Sequence, residues 1–79
     1  MPEEKQPYAD IESIKNYVGG KWQKFGEDNF IEMALSASEL IDGYCAANHI
    51  IIKDPPQSII KTVNRELVHA MMVDLTKTS

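Results

Sequence analysis

The chain has 79 residues, of which 12 are Asp or Glu and 8 are Lys or Arg, so its formal charge at pH 7 is −4. A chain this short buries only about 60% of the surface that it exposes when unfolded, and such domains usually depend on disulfides, a metal or partner subunits. The single cysteine, Cys45, excludes an intramolecular disulfide, and one cysteine with two histidines argues against a structural zinc site. Contact with partner subunits is therefore the first expectation.

Neither a membrane span nor a secretion signal is predicted. No apolar run approaches the roughly 20 residues that cross a bilayer. The segment 1–7 is polar and lacks the apolar core of a cleaved signal, and a lone thiol fits a reducing cytosol. We therefore expect a chain that is made in the cytoplasm.

Charge is unevenly distributed along the chain. Residues 1–45 hold nine acids and four bases, a formal −5, whereas residues 46–79 hold three acids and four bases, a formal +1. Neutralising nucleic-acid phosphates needs clustered Lys and Arg, so an acidic chain is a poor general nucleic-acid binder. The asymmetry fits either solvated helix faces or head-to-tail contact between copies, with the acidic half against the nearly neutral half.

The first predicted elements are a lead and a short helix. Residues 1–9 are expected to form a flexible lead, because Pro2 and Pro7 interrupt regular structure. The first helix is predicted from Asp10, a good N-cap residue, to about Val18. Its apolar side chains recur at spacings of three and four, which places them on one face: Ile11, Ile14 and Val18.

A connector follows the first helix. Gly19 and Gly20 are expected to end that helix, because glycine readily adopts the left-handed conformation found at helix C-termini. The segment Lys21–Gly26 carries Trp22 and Phe25. Two large rings in a short connector favour contacts with the core over contacts with a ligand.

The second helix is predicted from Glu27 to about Ala46 or Ala47. Glu27 and Asp28 would lie where the helix dipole favours negative charge. One apolar stripe runs along it at spacings of three and four, formed by Phe30, Ala34, Ala37, Ile41 and Tyr44.

Between the second and third helices lie three consecutive isoleucines, Ile50–Ile52. Their β-branched side chains favour extended structure, but three residues are too few for a sheet of their own. They either fold over the helix pair as an apolar loop or add to a neighbouring chain. The third helix is predicted from about Pro55, with Asp54 as its cap, to about Leu75.

These elements predict an all-α fold. We expect a small bundle of three helices in which the long C-terminal helix packs on the middle helix, with a short N-terminal helix beside them. Residues 10–75 would form this single domain, and residues 76–79 a frayed tail. The apolar face of the last helix exceeds what one short neighbour can cover, which again favours self-association.

No catalytic, metal-binding or cofactor-binding residue is predicted. Cys45 and His49 are four apart, but a catalytic thiol needs a base and a lowered pKa, and a metal needs further ligands. A buried thiol and a histidine at a helix end explain both residues. Gly19-Gly20-Lys21 lacks the first glycine and the lysine-hydroxyl ending of a phosphate loop and fits a helix end instead.

Three segments together resemble one protein family. The first is Tyr8-Ala9-Asp10-Ile11-Glu12-Ser13-Ile14, which opens the first helix. The second is Ala37-Ser38-Glu39-Leu40-Ile41-Asp42-Gly43-Tyr44-Cys45, which closes the second. The third is Asp54-Pro55-Pro56 ahead of a long helix with Ile59, Ile60, Val63 and Ala70. In this order they resemble the small head–tail connector proteins of tailed bacteriophages, also called head-completion or adaptor proteins.

The resemblance implies a structural, non-enzymatic role in the virion. Members of that family are α-helical and assemble as a ring below the portal protein after DNA is packaged. The ring extends the DNA channel, through which DNA passes without sequence-specific binding, and it provides a docking surface for tail-side proteins. It implies a location at the head–tail junction after synthesis in the bacterial host, and it carries over no catalytic residue. The brief connection between the second and third helices and the short C-terminal tail differ from larger relatives.

Contact between copies is expected at the isoleucine segment and at exposed parts of the third helix. The residues predicted for this interface are Ile50, Ile51, Ile52, Arg65, Val68 and Met72. The alternative function is a small helical protein-binding module, such as a regulator or inhibitor of a bacterial protein.

Overall fold

The computed structural model describes residues 6–76, and within that range it contains three α-helices and no strand. Helix α1 spans Ile11–Val18, α2 spans Glu27–Ala47 and α3 spans Ser58–Thr76, and a 3-10 helix at Gly19–Lys24 follows α1. Helices α2 and α3 form the main antiparallel pair, and α1 is short and packs against α3. The predicted all-α bundle of three helices is confirmed.

The core lies mainly between α2 and α3 and has two parts. The larger part, here the main core, is built from Ala9, Ile14, Val18, Phe30, Ala34, Ala37, Val68 and Met72. The smaller part, here the small core, consists of Ile41, Cys45 and Ile60 near the end of α2 and the start of α3. The three small side chains at 34, 37 and 38 are buried on α2, which lets the polypeptide approach this helix closely.

The two aromatic residues of the connector pack against the main core, as predicted. Trp22 and Phe25 are half-buried, and the ring centroid of Trp22 lies 5.9 Å from that of Phe30. The Nζ atom of Lys15 lies 4.1 Å above the Trp22 ring and 3.6 Å from a Glu27 carboxylate oxygen. These contacts join α1, the 3-10 helix and the start of α2.

The N-terminal segment is packed where a flexible lead was predicted. Ala9 is only 1% exposed, and its N–H donates to Oδ1 of Asn64 at 2.9 Å. The Tyr8 N–H donates to the Ser38 hydroxyl at 3.1 Å. The prediction of a lead through residue 9 is therefore wrong at these two positions, because backbone donors there are satisfied by side chains of α2 and α3. Residues 1–5 and the predicted tail at 77–79 lie outside the described range.

The third helix begins later than predicted. It starts at Ser58, and the Gln57 carbonyl accepts the N–H of Ile60 at 3.0 Å and that of Lys61 at 3.3 Å. A residue that precedes proline is disfavoured in the helical region, so Pro56 disfavours a helix start at Pro55. The Asp54-Pro55 peptide bond is cis, and Asp54 is not the cap.

At α1 the Asp10 carbonyl accepts the N–H of Ile14 at 3.0 Å, but the Asp10 side chain makes no cap bond.

Helix α2 ends in a Schellman motif with histidine in the left-handed position. The Ile50 N–H donates to the Cys45 carbonyl at 2.8 Å, the His49 N–H donates to the Ala46 carbonyl at 3.3 Å, and His49 has a φ of 57°. Glycine is the usual residue here because a Cβ costs energy in this conformation. The motif turns the chain so that Ile50 comes back against the end of α2.

Replacing His49 by glycine is expected to stabilise the protein by about 0.5–1 kcal/mol, because the side chain is exposed and its backbone strain is relieved. Urea unfolding followed by circular dichroism measures the effect. His49→Ala keeps the Cβ and is the matched control, so an equal gain in that variant would mean that backbone strain is not the cause.

Candidate functional site

One face of the α2–α3 pair is covered by α1 and the other is not. On the covered face, Nη1 of Arg65 donates to the Ser13 hydroxyl at 3.1 Å. The Tyr17 ring meets the His69 ring edge-on, with centroids 6.0 Å apart. The opposite face carries an open groove at the end of the pair where α2 stops and α3 begins.

This apolar groove has a volume of about 580 Å³. Its lining residues are Leu40, Ile41, Tyr44, Cys45, Ile50, Gln57, Ile59, Ile60, Val63 and Leu67. None of them is charged. Tyr44 is 66% exposed, Ile59 65% and Leu40 58%, so large apolar side chains stand open to solvent on both helices. Exposed apolar surface that is contiguous in this way is typical of a contact site.

The sequence allows the isoleucine loop, Ile50–Ile52, either to fold over the helix pair or to contact a neighbouring chain. Its three side chains do not all lie in the same way. Ile52 is half-buried and packs on the small core. Ile50 lines the apolar groove and is 44% exposed, and Ile51 is 81% exposed. Ile52 thus folds over the helix pair, while its two predecessors present apolar surface outward.

One side chain holds the path of this loop. Nε2 of Gln57 donates to the Ile51 carbonyl at 3.0 Å, and Oε1 of the same amide accepts the N–H of Lys53 at 3.1 Å. Both ends of the amide are therefore bonded to loop backbone. The tip at Ile51 is fixed relative to the start of α3, although its side chain has few neighbours.

The predicted interface residues of α3 are not all accessible. Val68 is 0% exposed and Met72 is 2% exposed, because they follow Ile60 and Asn64 at spacings of four on the face that meets α2. The prediction that both lie on exposed parts of the helix is wrong. Arg65 is half-buried and donates to Ser13 and to Thr62, so it supports the packing of α1.

Three groove residues were missed by sequence reasoning. Leu40, Tyr44 and Ile59 are exposed at the groove, whereas Tyr44 had been assigned to the inner stripe of the second helix. The available signal was the breadth of that stripe. Leu40 and Tyr44 are four apart and lie beside the buried positions, so they belong to a face wider than one neighbouring helix covers.

The buried polar residues of this domain bond to one another and have a structural role. Asn64 is 0% exposed, and its Oδ1 accepts from the Ala9 N–H at 2.9 Å and from the Ser38 hydroxyl at 3.4 Å. Its Nδ2 donates to the Ala34 carbonyl at 3.3 Å. The network joins the N-terminal segment, α2 and α3 at one point.

Cys45 and His49 do not form a reactive pair. The thiol is 3% exposed within the small core, whereas the histidine is exposed in the turn that ends α2. Among residues 6–76 no group of three or more His, Cys, Asp or Glu side chains could hold a metal ion. The prediction of a buried thiol is confirmed.

The surroundings of the Tyr8 hydroxyl shift its pKa. Its hydroxyl donates to Oδ1 of Asp42. Burial of the ring, the hydrogen bond to Asp42 and the negative charge of that carboxylate raise the pKa of Tyr8 from 10.0 to about 12. The contact ties the N-terminal segment to α2, and the Tyr8 ring also packs on the small core.

Folding should therefore become less favourable in strong alkali through Tyr8. The folded state holds the phenolic proton more tightly than the unfolded state, so the stabilisation is complete below pH 10 and is lost as the pH rises from about 10 to about 12. Denaturant unfolding of the native protein and of Tyr8→Phe over this pH range measures the effect. The native protein should lose more stability than the variant; parallel curves would contradict the assignment.

Comparisons with protein-family models, with curated proteins and with solved structures found no match for this chain. Among residues 6–76, no helix has both the length and the apolar character that a bilayer crossing requires.

Proposed function

We propose that this chain is a structural subunit of a phage head–tail connector, which assembles as a ring below the portal protein and offers a docking surface to tail-side proteins. The three segments quoted above support the family. The observation that carries the mode of action is the exposed pair Ile50 and Ile51 beside an uncharged, open groove. Burial of that surface between copies would drive assembly.

The free energy gained by burying apolar surface favours assembly of this chain over a monomer. A domain below about 80 residues rarely gains more than about 3–5 kcal/mol from its own core. Each isoleucine that is fully buried on contact can contribute about 1.5–3 kcal/mol. The exposed isoleucines and the groove residues thus represent stabilisation that the single chain leaves unused.

The acidic composition of helix α2 is suited to the wall of a channel through which DNA passes. Between Glu27 and Ala47 it contains five acids and no Lys or Arg. Carboxylates repel phosphates, so such a surface near a channel would let DNA pass without gripping it. The acidic composition of α2 thus supports the proposed place beside a DNA channel.

Electron microscopy of the assembled particle tests the proposal, with the subunit located by its own density. The expected result is a ring of this chain between the portal and the tail. A particle whose junction lacks the chain would overturn the proposal.

The apolar groove also favours a second candidate, a helical module that binds another protein. A groove between two helices with an uncharged lining is the kind of site that the apolar face of an amphipathic helix fills. Neighbouring genes separate the two candidates: portal, capsid and terminase genes support the connector, and their absence supports the binding module.

Placing charge on the exposed loop should prevent assembly without unfolding the chain. The double variant Ile50→Asp and Ile51→Asp leaves Ile52 and the Gln57 contacts in place, and buried unpaired carboxylates at an interface are strongly unfavourable. We expect loss of rings by electron microscopy with little change in helix content by circular dichroism.

The control adds the same two negative charges at exposed positions away from the loop, as Asn16→Asp with Gln23→Asp. These variants should assemble like the native chain. Normal rings from the loop variant would show that the isoleucine loop is not a contact.

A further inference from the structure

The end of the α2–α3 pair opposite the isoleucine loop has a hollow of its own. This far hollow has a volume of about 650 Å³ and opens widely to solvent. Its lining includes Lys24, Phe25, Glu32, Met33, Met71 and Asp74. Because α2 and α3 are antiparallel, the start of α2 and the end of α3 form it together.

The far hollow has an apolar floor and a charged rim. Phe25, Met33 and Met71 are half-buried and provide the floor, where methionine adapts its shape to an inserted side chain. Glu32 and Asp74 are exposed at the rim and form no ion pair with a described residue.

The isoleucine loop has the complementary features at the other end of the molecule. Ile51, at 81% exposure, is the most exposed of the large apolar side chains in residues 6–76. Lys53 and Asp54 follow it, and both are exposed without an ion-pair partner in that part of the chain. An apolar tip is thus followed, after the half-buried Ile52, by one positive and one negative charge.

We propose that the isoleucine loop of one copy seats in the far hollow of a second copy. Ile51 then packs on Met33 and Met71, and Lys53 faces the carboxylates of Glu32 and Asp74. This inference rests on the proposed function, because it names the two surfaces that meet when connector subunits assemble.

The charges at both surfaces favour a second copy as the occupant. The loop offers a cation where the rim offers two carboxylates, and Asp54 on the loop matches Lys24 on the rim. Opposite charges across a contact fix its orientation and disfavour other partners. Each chain carries both surfaces, so no other protein is needed to supply either one.

The contact is heterologous when each pair of neighbours makes it once, with the loop of one chain in the hollow of the next. Such a contact leaves one free loop and one free hollow at the ends of any open chain, and it forms a ring if the rotation between neighbours closes. A two-fold dimer that makes this contact reciprocally would instead fill both loops and both hollows and would stop at two chains.

Disulfide trapping between two single-cysteine variants of the full chain tests this arrangement. Both carry Cys45→Ala, which removes the buried thiol; one adds Ile51→Cys in the loop, and the other adds Ser36→Cys in the hollow. A size tag on one variant distinguishes mixed from like pairs. The two are mixed, oxidised mildly at several concentrations, and separated without reductant, after circular dichroism has shown native helix content.

The expected result is cross-linking of loop variant to hollow variant, at least about tenfold faster than cross-linking of the loop variant to a control with Asn16→Cys on exposed α1. A chain that carries both Ile51→Cys and Ser36→Cys should give a ladder of dimers, trimers and larger species. Loop-to-loop or hollow-to-hollow dimers as the main product, or cross-linking no faster than the control, would overturn the inference.

Electron microscopy of the particle keeps this result separate from the proposed function. Rings at the head–tail junction without loop-to-hollow cross-links would leave the connector role intact and refute only this contact. Loop-to-hollow cross-links in a chain that is absent from the junction would leave this contact intact and refute the connector role.

Discussion

Phe30→Ala should lower the free energy of unfolding by about 3–5 kcal/mol, the range for removing a fully buried aromatic ring. Phe30 is 0% exposed and packs against Trp22 at the centre of the main core. A loss of that size equals the whole stability expected of so small a domain. The variant should therefore be largely unfolded in the absence of denaturant, as measured by circular dichroism.

Leu40→Ala is the matched control on the same helix, since it also removes a large apolar side chain but from a position that is 58% exposed. Its unfolding midpoint in urea should lie close to that of the native chain. Similar midpoints for the two variants would contradict the assignment of Phe30 to the core.

Asn64→Ala should cost about 2–3 kcal/mol, because it leaves the buried Ala9 N–H without its acceptor and opens a cavity. Urea unfolding measures the loss. Hydrogen exchange gives a local readout, in which the Ala9 amide should exchange much faster than in the native protein. Asn16→Ala, at an exposed site on α1, should change neither quantity. An unaltered Ala9 exchange rate in Asn64→Ala would refute the network.

The helices could be predicted because their apolar spacing is regular. Helix α2 begins at Glu27 and ends at Ala47, within one residue of the predicted limits, since an acidic first turn and a long stripe mark it. The start of α3 was missed because Asp54 and Pro55 are good helix-start residues individually. The second proline, Pro56, disfavours the helical conformation at Pro55, which opposes the preference for proline in a first turn.

Apolar spacing alone could not predict which face of each helix is buried and which is exposed. The stripe on α2 is broader than one helix can cover, and which edge remains open depends on where α1 packs. The face of α3 that meets α2 buries Val68 and Met72, while Leu40 and Tyr44 stay exposed on the edge of α2 that α1 does not cover. Asn64 shows the same limit, because a polar side chain on an inner face is acceptable only where the fold supplies partners, and these come from residues 26 and 55 positions away.

The Gln57 amide has a consequence for how this chain can vary. Its two bonds go to backbone atoms of the loop, the Ile51 carbonyl and the Lys53 N–H, so it acts on the path of the chain irrespective of which side chains stand at the tip. Substitutions at positions 50 and 51 can then change the size and chemistry of the tip while its trajectory is preserved. The shape of the loop and the chemistry of its tip are thereby controlled at separate positions.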